Sequence, residues 1–192
     1  ASAPAPPADT TRPSVTLSTT ANATTNAAFE VTATFSEAVT GFELDDVTIG
    51  NGTASDFTAV SNRVYTFTVT PTADGAVTVD VAENVAKDSS NNQTHAATQL
   101  SVTTDTTSPT SPTVSASNAT TLSGTAEPGA TITVYAADGT TILATATADA
   151  NGNWSIANPL AVGQTGSVTV TDPAGNVGPA TAIAAVDGTA PV

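Results

Sequence analysis

Across 192 residues the chain sets 17 acidic side chains against three basic ones, Arg12, Arg63 and Lys87, for a formal net charge of −14. That balance excludes nucleic acid and anionic membrane surfaces as partners, because both need Lys and Arg to neutralise phosphate; it suits a surface kept soluble by self-repulsion or one that attracts cations. There is no cysteine, hence no disulfide and no thiol nucleophile, and no apolar run approaches the ~18 residues of a membrane span, so no membrane insertion is expected.

Residues 1–8 read Ala-Ser-Ala-Pro-Ala-Pro-Pro-Ala, a semi-rigid linker composition that is excluded from the fold. A joint motif follows. Asp9-Thr-Thr-Arg-Pro13 returns as Asp105-Thr-Thr-Ser-Pro109 and as Asp187-Gly-Thr-Ala-Pro191. The intervals, roughly 80–100 residues, each suit one seven-strand antiparallel sandwich of the immunoglobulin type. The chain therefore divides into residues 9–104 and 105–186, with 187–192 opening the next linker.

In the first of these, Phe29, Val31, Ala33 and Phe35 alternate with Glu30, Thr32, Thr34 and Ser36, the period of a half-buried strand. Tyr65-Phe67-Val69 and Val77-Val79-Val81 repeat it, and Asn51-Gly52 and Asp74-Gly75 supply hairpin chemistry. Strands are predicted over 14–20, 28–36, 46–51, 55–60, 64–71, 76–83 and 98–104. The second stretch follows the same logic with Ile132 and Val134, then Val168 and Val170, and with turns at Pro128-Gly129, Asp138-Gly139 and Asn151-Gly152. All five Phe lie in the first stretch and Trp154 in the second, so the two cores are separate solutions to one architecture. The fold class is all-β: two tandem immunoglobulin-like sandwiches joined by a short linker. Trp154 is assigned to core packing over sugar stacking, since Tyr135 is the only other large aromatic of its stretch.

The stretch Phe35-Ser-Glu-Ala-Val-Thr-Gly-Phe-Glu-Leu-Asp-Asp-Val47, with Tyr65-Thr-Phe-Thr-Val-Thr-Pro71 after it, resembles one repeat type of the bacterial immunoglobulin-like repeats found in giant surface adhesins and biofilm-associated proteins. Gly124-Thr-Ala-Glu-Pro-Gly-Ala-Thr-Ile-Thr-Val134, Ala148-Asp-Ala-Asn-Gly-Asn-Trp154 and Thr171-Asp-Pro-Ala-Gly-Asn176 resemble another. The resemblance implies an extracellular, cell-surface stalk that is monomeric, touches neighbouring repeats of its own chain, and reaches a host or biofilm surface through a distal domain. It also implies Ca²⁺ near the domain junctions.

The acidic residues fit that implication. In this topology the entering linker, the loop after the second strand and the loop before the last strand share one pole. Asp9, Glu37 and Asp88 fall there in the first repeat; Asp105, Glu127 and Asp172 fall there in the second. Asp88-Ser-Ser-Asn-Asn92 and Asp172-Pro-Ala-Gly-Asn176 even share an Asp-x-x-x-Asn pattern. Ca²⁺ takes about six to eight hard oxygens, so these six acids are the candidate ligands, with Asp45, Asp46, Asp74, Asp149 and Asp187 as further donors. Against this stands the turn-forming role of loop Asp and Asn, through side chain to backbone bonds.

No nucleophile elbow or phosphate loop is present, and the lone His95 sits in a polar loop without a marked partner. The expected function is a non-catalytic spacer. The alternatives are a carbohydrate- or host-protein-binding module and an accessory pair on a secreted enzyme.

Overall fold

The computed structural model describes residues 7–186; the third joint motif, with Asp187, and most of the first linker lie outside them. The chain forms two compact units, Ala1–Asp105 and Thr106–Val192. No α-helix occurs among the described residues.

The first unit contains β1 (Val15–Thr19), β2 (Thr24–Thr25), β3 (Phe29–Phe35), β4 (Val47–Gly50), β5 (Gly52–Ala59), β6 (Val64–Pro71), β7 (Gly75–Val81) and β8 (Leu100–Thr104), with a 3-10 turn at Leu44–Asp46. One sheet runs β1-β3-β6-β5 and the other β2-β8-β7-β4. Alternation along β3 buries Phe29, Val31, Ala33 and Phe35, and β6 and β7 do the same with Tyr65, Phe67, Val69 and Val77, Val79, Val81. These inward faces make one core. Phe35, Phe42 and Tyr65 meet edge to face with centroids 5.1–5.7 Å apart, an arrangement worth about 0.5–1.5 kcal/mol per pair beyond the buried area.

The second unit contains β9 (Ala116–Ser117), β10 (Thr121–Thr125), β11 (Thr131–Ala136), β12 (Ile142–Thr147), β13 (Asn153–Ala157), β14 (Gly166–Thr171) and β15 (Thr181–Ile183). Its sheets run β13-β10-β9 and β12-β11-β14-β15. Leu122, Ile132, Val134, Val168, Val170 and Ile183 fill the core together with Trp154, which is 3% exposed. The assignment of Trp154 to the core therefore holds.

Strand placement follows the period-two pattern closely, with two differences. The short β2, paired in parallel with β8, has too few residues to show any period. The strand predicted over 55–60 begins at Gly52 and is interrupted between Ser55 and Thr58, where Asp56 takes φ 53°. Such a bulge adds a residue to one strand of the ladder and disguises its alternation.

In both units the segment leading into the first strand is bound to the body. Arg12 donates Nε to the Gln93 carbonyl at 2.8 Å and Nη2 to the Thr94 carbonyl at 2.7 Å and Asn84 Oδ1 at 2.9 Å. The His95 N–H adds a bond to the Pro13 carbonyl. In the second unit the segment runs past two glycines. A Cβ at Gly124 would lie 1.9 Å from the Thr113 carbonyl oxygen and one at Gly178 would lie 2.5 Å from that of Pro109, so only glycine admits the approach.

Candidate metal centre

Asp88 is the most enclosed of the first unit's acids, 4% exposed, in the loop between β7 and β8. Its Oδ1 accepts the Ser90 and Asn92 N–H groups at 2.7 and 2.9 Å, and its Oδ2 accepts the Asn92 side-chain amide at 2.8 Å. Burial acts to raise its pKa, but the bonds from Asn92 and Ser90 prevail and hold the carboxyl below its ordinary value. Asp88 is therefore an ionised, nearly buried carboxylate.

Two more carboxylates converge on it. Asp9 arrives from the entering segment, fixed by the Thr11 N–H on its Oδ1 and by Asn92, which donates to the Asp9 carbonyl at 3.1 Å. Glu37 follows the end of β3 and is half-buried. One oxygen from each of Asp9, Glu37 and Asp88 lies within 4.8 Å of the others. The crowding registers on Glu37: burial, then the charges of Asp9 and Asp88, raise its carboxyl above the ordinary value against the opposing pull of Arg63. The Arg63 guanidinium is held to the side by the Phe35 and Ser36 carbonyls, at 3.3 and 2.6 Å.

An all-oxygen set of three carboxylates matches a hard divalent cation and no soft one. Ca²⁺ is a cation of this kind, and Asp9, Glu37 and Asp88 are the residues that could hold it.

The remaining sequence candidates are distributed as follows. Asp105 belongs to the first unit, where its N–H donates to the Thr25 carbonyl, while Glu127 and Asp172 belong to the second. Asp46 accepts the Glu43 N–H on Oδ2 at 2.8 Å, capping the 3-10 turn that begins at Leu44. Asp45 lies in that same turn, and Asp74 lies between β6 and β7.

Asp149 proves to be a third copy of the Asp-x-x-x-Asn loop. In Asp88–Asn92, Asp149–Asn153 and Asp172–Asn176 alike, the Asp N–H donates to the Asn carbonyl at 2.8–3.2 Å and the Asn N–H returns to Asp Oδ1 at 2.9 Å. The Asn side chain then bonds the same carboxylate. Burial works upward on Asp172, yet the Asn176 bonds keep it below its ordinary pKa; backbone bonds from Asn153 and Asn151 lower Asp149. The motif is first a loop closure, and in Asp88 alone does the closure also present a carboxylate to two others among the described residues. The signal for the third copy was its spacing, identical to the other two.

A sequence-family profile for a bacterial Ig-like domain matches residues 9–106, and one for a bacterial Ig domain matches residues 107–187. The chain belongs to the bacterial Ig-like domain family. Among solved structures, this tandem of bacterial Ig-like domains is similar to the BSP domain of a biofilm-associated protein (18% identity, 94% of this chain and 30% of that one, TM-score 0.38). It is also similar to the Yersinia pseudotuberculosis adhesin InvE (19%, 92% and 59%, TM-score 0.30). A third is a C-terminal fragment of intimin in complex with the intimin-binding domain of its translocated receptor (14%, 89% and 63%, TM-score 0.45). The chain thus spans less than two thirds of each of these structures. No curated protein sequence matches it.

Proposed function

We propose that these two bacterial Ig-like domains are spacer repeats of an extracellular bacterial adhesin, non-catalytic and monomeric, which carry a distal binding domain away from the cell. In this reading Ca²⁺ stiffens the repeats where the chain enters each one. The observation that carries it is the meeting of Asp9, from the entering segment, with Glu37 and Asp88 from the body of the first unit. A cation held by all three ties the incoming chain to the sandwich and removes a hinge. By the repetition of the joint motif, Asp105, Glu127 and Asp172 are proposed as the corresponding set at the second joint. Extracellular modules of this kind bind Ca²⁺ with dissociation constants of about 10⁻⁴–10⁻³ M, compatible with an occupied site outside the cell and an empty one inside.

The test is calorimetric titration of Ca²⁺ into chelator-treated protein, beside Asp9→Ala and Asp105→Ala variants, together with small-angle scattering with and without chelator. Loss of one site in each variant and a chain that becomes flexible on chelation support the reading. Absence of heat in the unaltered protein, or scattering profiles that do not change, refute the calcium mechanism.

A further inference from the structure

The stretch 106–192 contains no Lys, Arg or His, so nothing in it offsets its acids. Among the described residues β12 is an outer strand, bonded to β11 alone. Among those residues the backbone N–H and C=O groups along its other side have no ladder partner. Sheet edges are ordinarily blunted by charge, proline or extreme shortness. From Gly139 to Ala148 there is neither a charged residue nor a proline. By contrast β5, the longest edge of the first unit, carries Asp56 at a break in its ladder, β2, β9 and β15 have two or three residues each, and the remaining edges β1, β4 and β13 are shorter than β12.

The head of β12 adds a second feature. Its ladder pairs Val134 with Ala144 and Tyr135 with Ile142, leaving Leu143 as the extra residue of a bulge. Bulges re-aim side chains, and Leu143 lines an open recess of about 450 Å³ with Ala137, Pro159 and Leu160, where Asp138, Gln164 and Thr165 are the polar members. Ile142 beside it is 59% exposed. Strand edge and recess together have the form used for adding an extended peptide, in which main-chain bonds give affinity and a side-chain recess gives selectivity.

We propose that the β12 edge docks an extended, cationic strand of a partner protein, seating an apolar side chain against Leu143 and Leu160 and placing Lys or Arg near Asp138 and Asp149. Charge selects this occupant. Asp138 and Asp149 flank the neutral stretch at both ends and are exposed, so a basic-flanked strand is complementary along its whole length. A second copy of the chain is not: pairing two β12 strands antiparallel with Ile142 opposite Thr147 brings Asp149 of one to the level of Thr140 of the other, two residues from its Asp138, in molecules that each carry −14.

The probe is a synthetic peptide of alternating Thr and Val with one Leu near its end and Lys at both ends, titrated into the full chain and followed by backbone NMR. Saturable shifts confined to β12 and the recess, weakened by added salt and by Leu143→Lys by ~10-fold or more, are expected. Leu143 is 36% exposed, and an otherwise unchanged spectrum of the variant reports that it folds. Equal binding of the same peptide with Glu in place of Lys, shifts elsewhere, indifference to Leu143→Lys, or dimerisation of the chain through this edge without peptide would each overturn the proposal. None of these outcomes depends on Ca²⁺, so the result is separable from the spacer reading.

Discussion

Asn92 and Asp88 are joined three times over: the Asn92 N–H and side-chain amide donate to the two oxygens of Asp88 at 2.9 and 2.8 Å, and the Asp88 N–H donates to the Asn92 carbonyl at 3.2 Å. The same amide nitrogen reaches the Asp9 carbonyl. Asn92 therefore orients one proposed ligand and the backbone of another without itself being required as a ligand. Groups in this position usually contribute about 10- to 100-fold to metal affinity. Asn92→Ala is expected to weaken Ca²⁺ binding by about that factor, measured by calorimetry. Asn153→Ala, which opens the equivalent loop around Asp149, serves as the comparison and leaves this affinity unchanged.

Glu37 gives the pH dependence. Its carboxyl is raised in the folded protein, by burial first and by Asp9 and Asp88 next, so between the ordinary and the raised pKa the metal-free folded state binds more proton than the unfolded state. The favourable contribution is present below the ordinary glutamate pKa and is lost as pH rises through the raised one. At neutral pH Glu37 thus disfavours the metal-free fold. Glu37→Gln is expected to raise the metal-free melting temperature at neutral pH while abolishing the increment that Ca²⁺ gives the unaltered protein. Scanning fluorimetry in chelator and in millimolar Ca²⁺ reads both effects. A variant that keeps the Ca²⁺ increment removes Glu37 from the ligand set. Because a proton competes with the cation, affinity in the unaltered protein falls as pH drops through the raised pKa.

The strands were legible because their side chains are small, alternating and uninterrupted; Val31, Phe67 and Val79 mark inward faces by period alone. What could not be read was most of the bonding between distant segments. Arg12 counts in the sequence as one of three cations, yet its planar fork finds the Gln93 and Thr94 carbonyls more than eighty residues away. The meeting of Asp9, Glu37 and Asp88 followed from assigning each to a loop at one pole. Which acids close loops was harder to see, since Asp149 and Asp172 serve their own Asn while Asp46 serves a turn. Composition marks all of them as acids, and only backbone geometry separates them.

Asp138 is a case where the turn role suffices. Its carboxylate accepts the Thr141 hydroxyl at 2.6 Å and the Thr140 and Thr141 N–H groups at 2.8 Å. These bonds, the Thr141 hydroxyl foremost, lower its pKa from 3.8 to about 2. A depressed acid contributes stability above its unfolded pKa and loses it as pH falls through the folded one. Asp138→Ala is therefore expected to lower the melting temperature of the second unit at neutral pH by a few degrees. The gap to the unaltered protein should shrink between pH 3.8 and about 2 and close below that. A gap that persists in stronger acid would mean the side chain acts through packing.

Trp154 is buried on β13 beside Gly124, yet its indole Nε1 has no hydrogen-bond partner among the described residues. Such a group costs about 1–3 kcal/mol against a bonded one, so the ring is retained for volume. Two substitutions separate the effects. Trp154→Ala removes the ring and leaves a cavity, with an expected loss of about 3–5 kcal/mol. Trp154→Phe removes the orphaned N–H with part of the volume, and the two changes offset each other to a loss of about 1 kcal/mol or less. Denaturant unfolding followed by circular dichroism distinguishes them. Equal losses in both variants would show that the N–H has a partner, such as a buried water, and that it, not ring volume, carries the stabilisation.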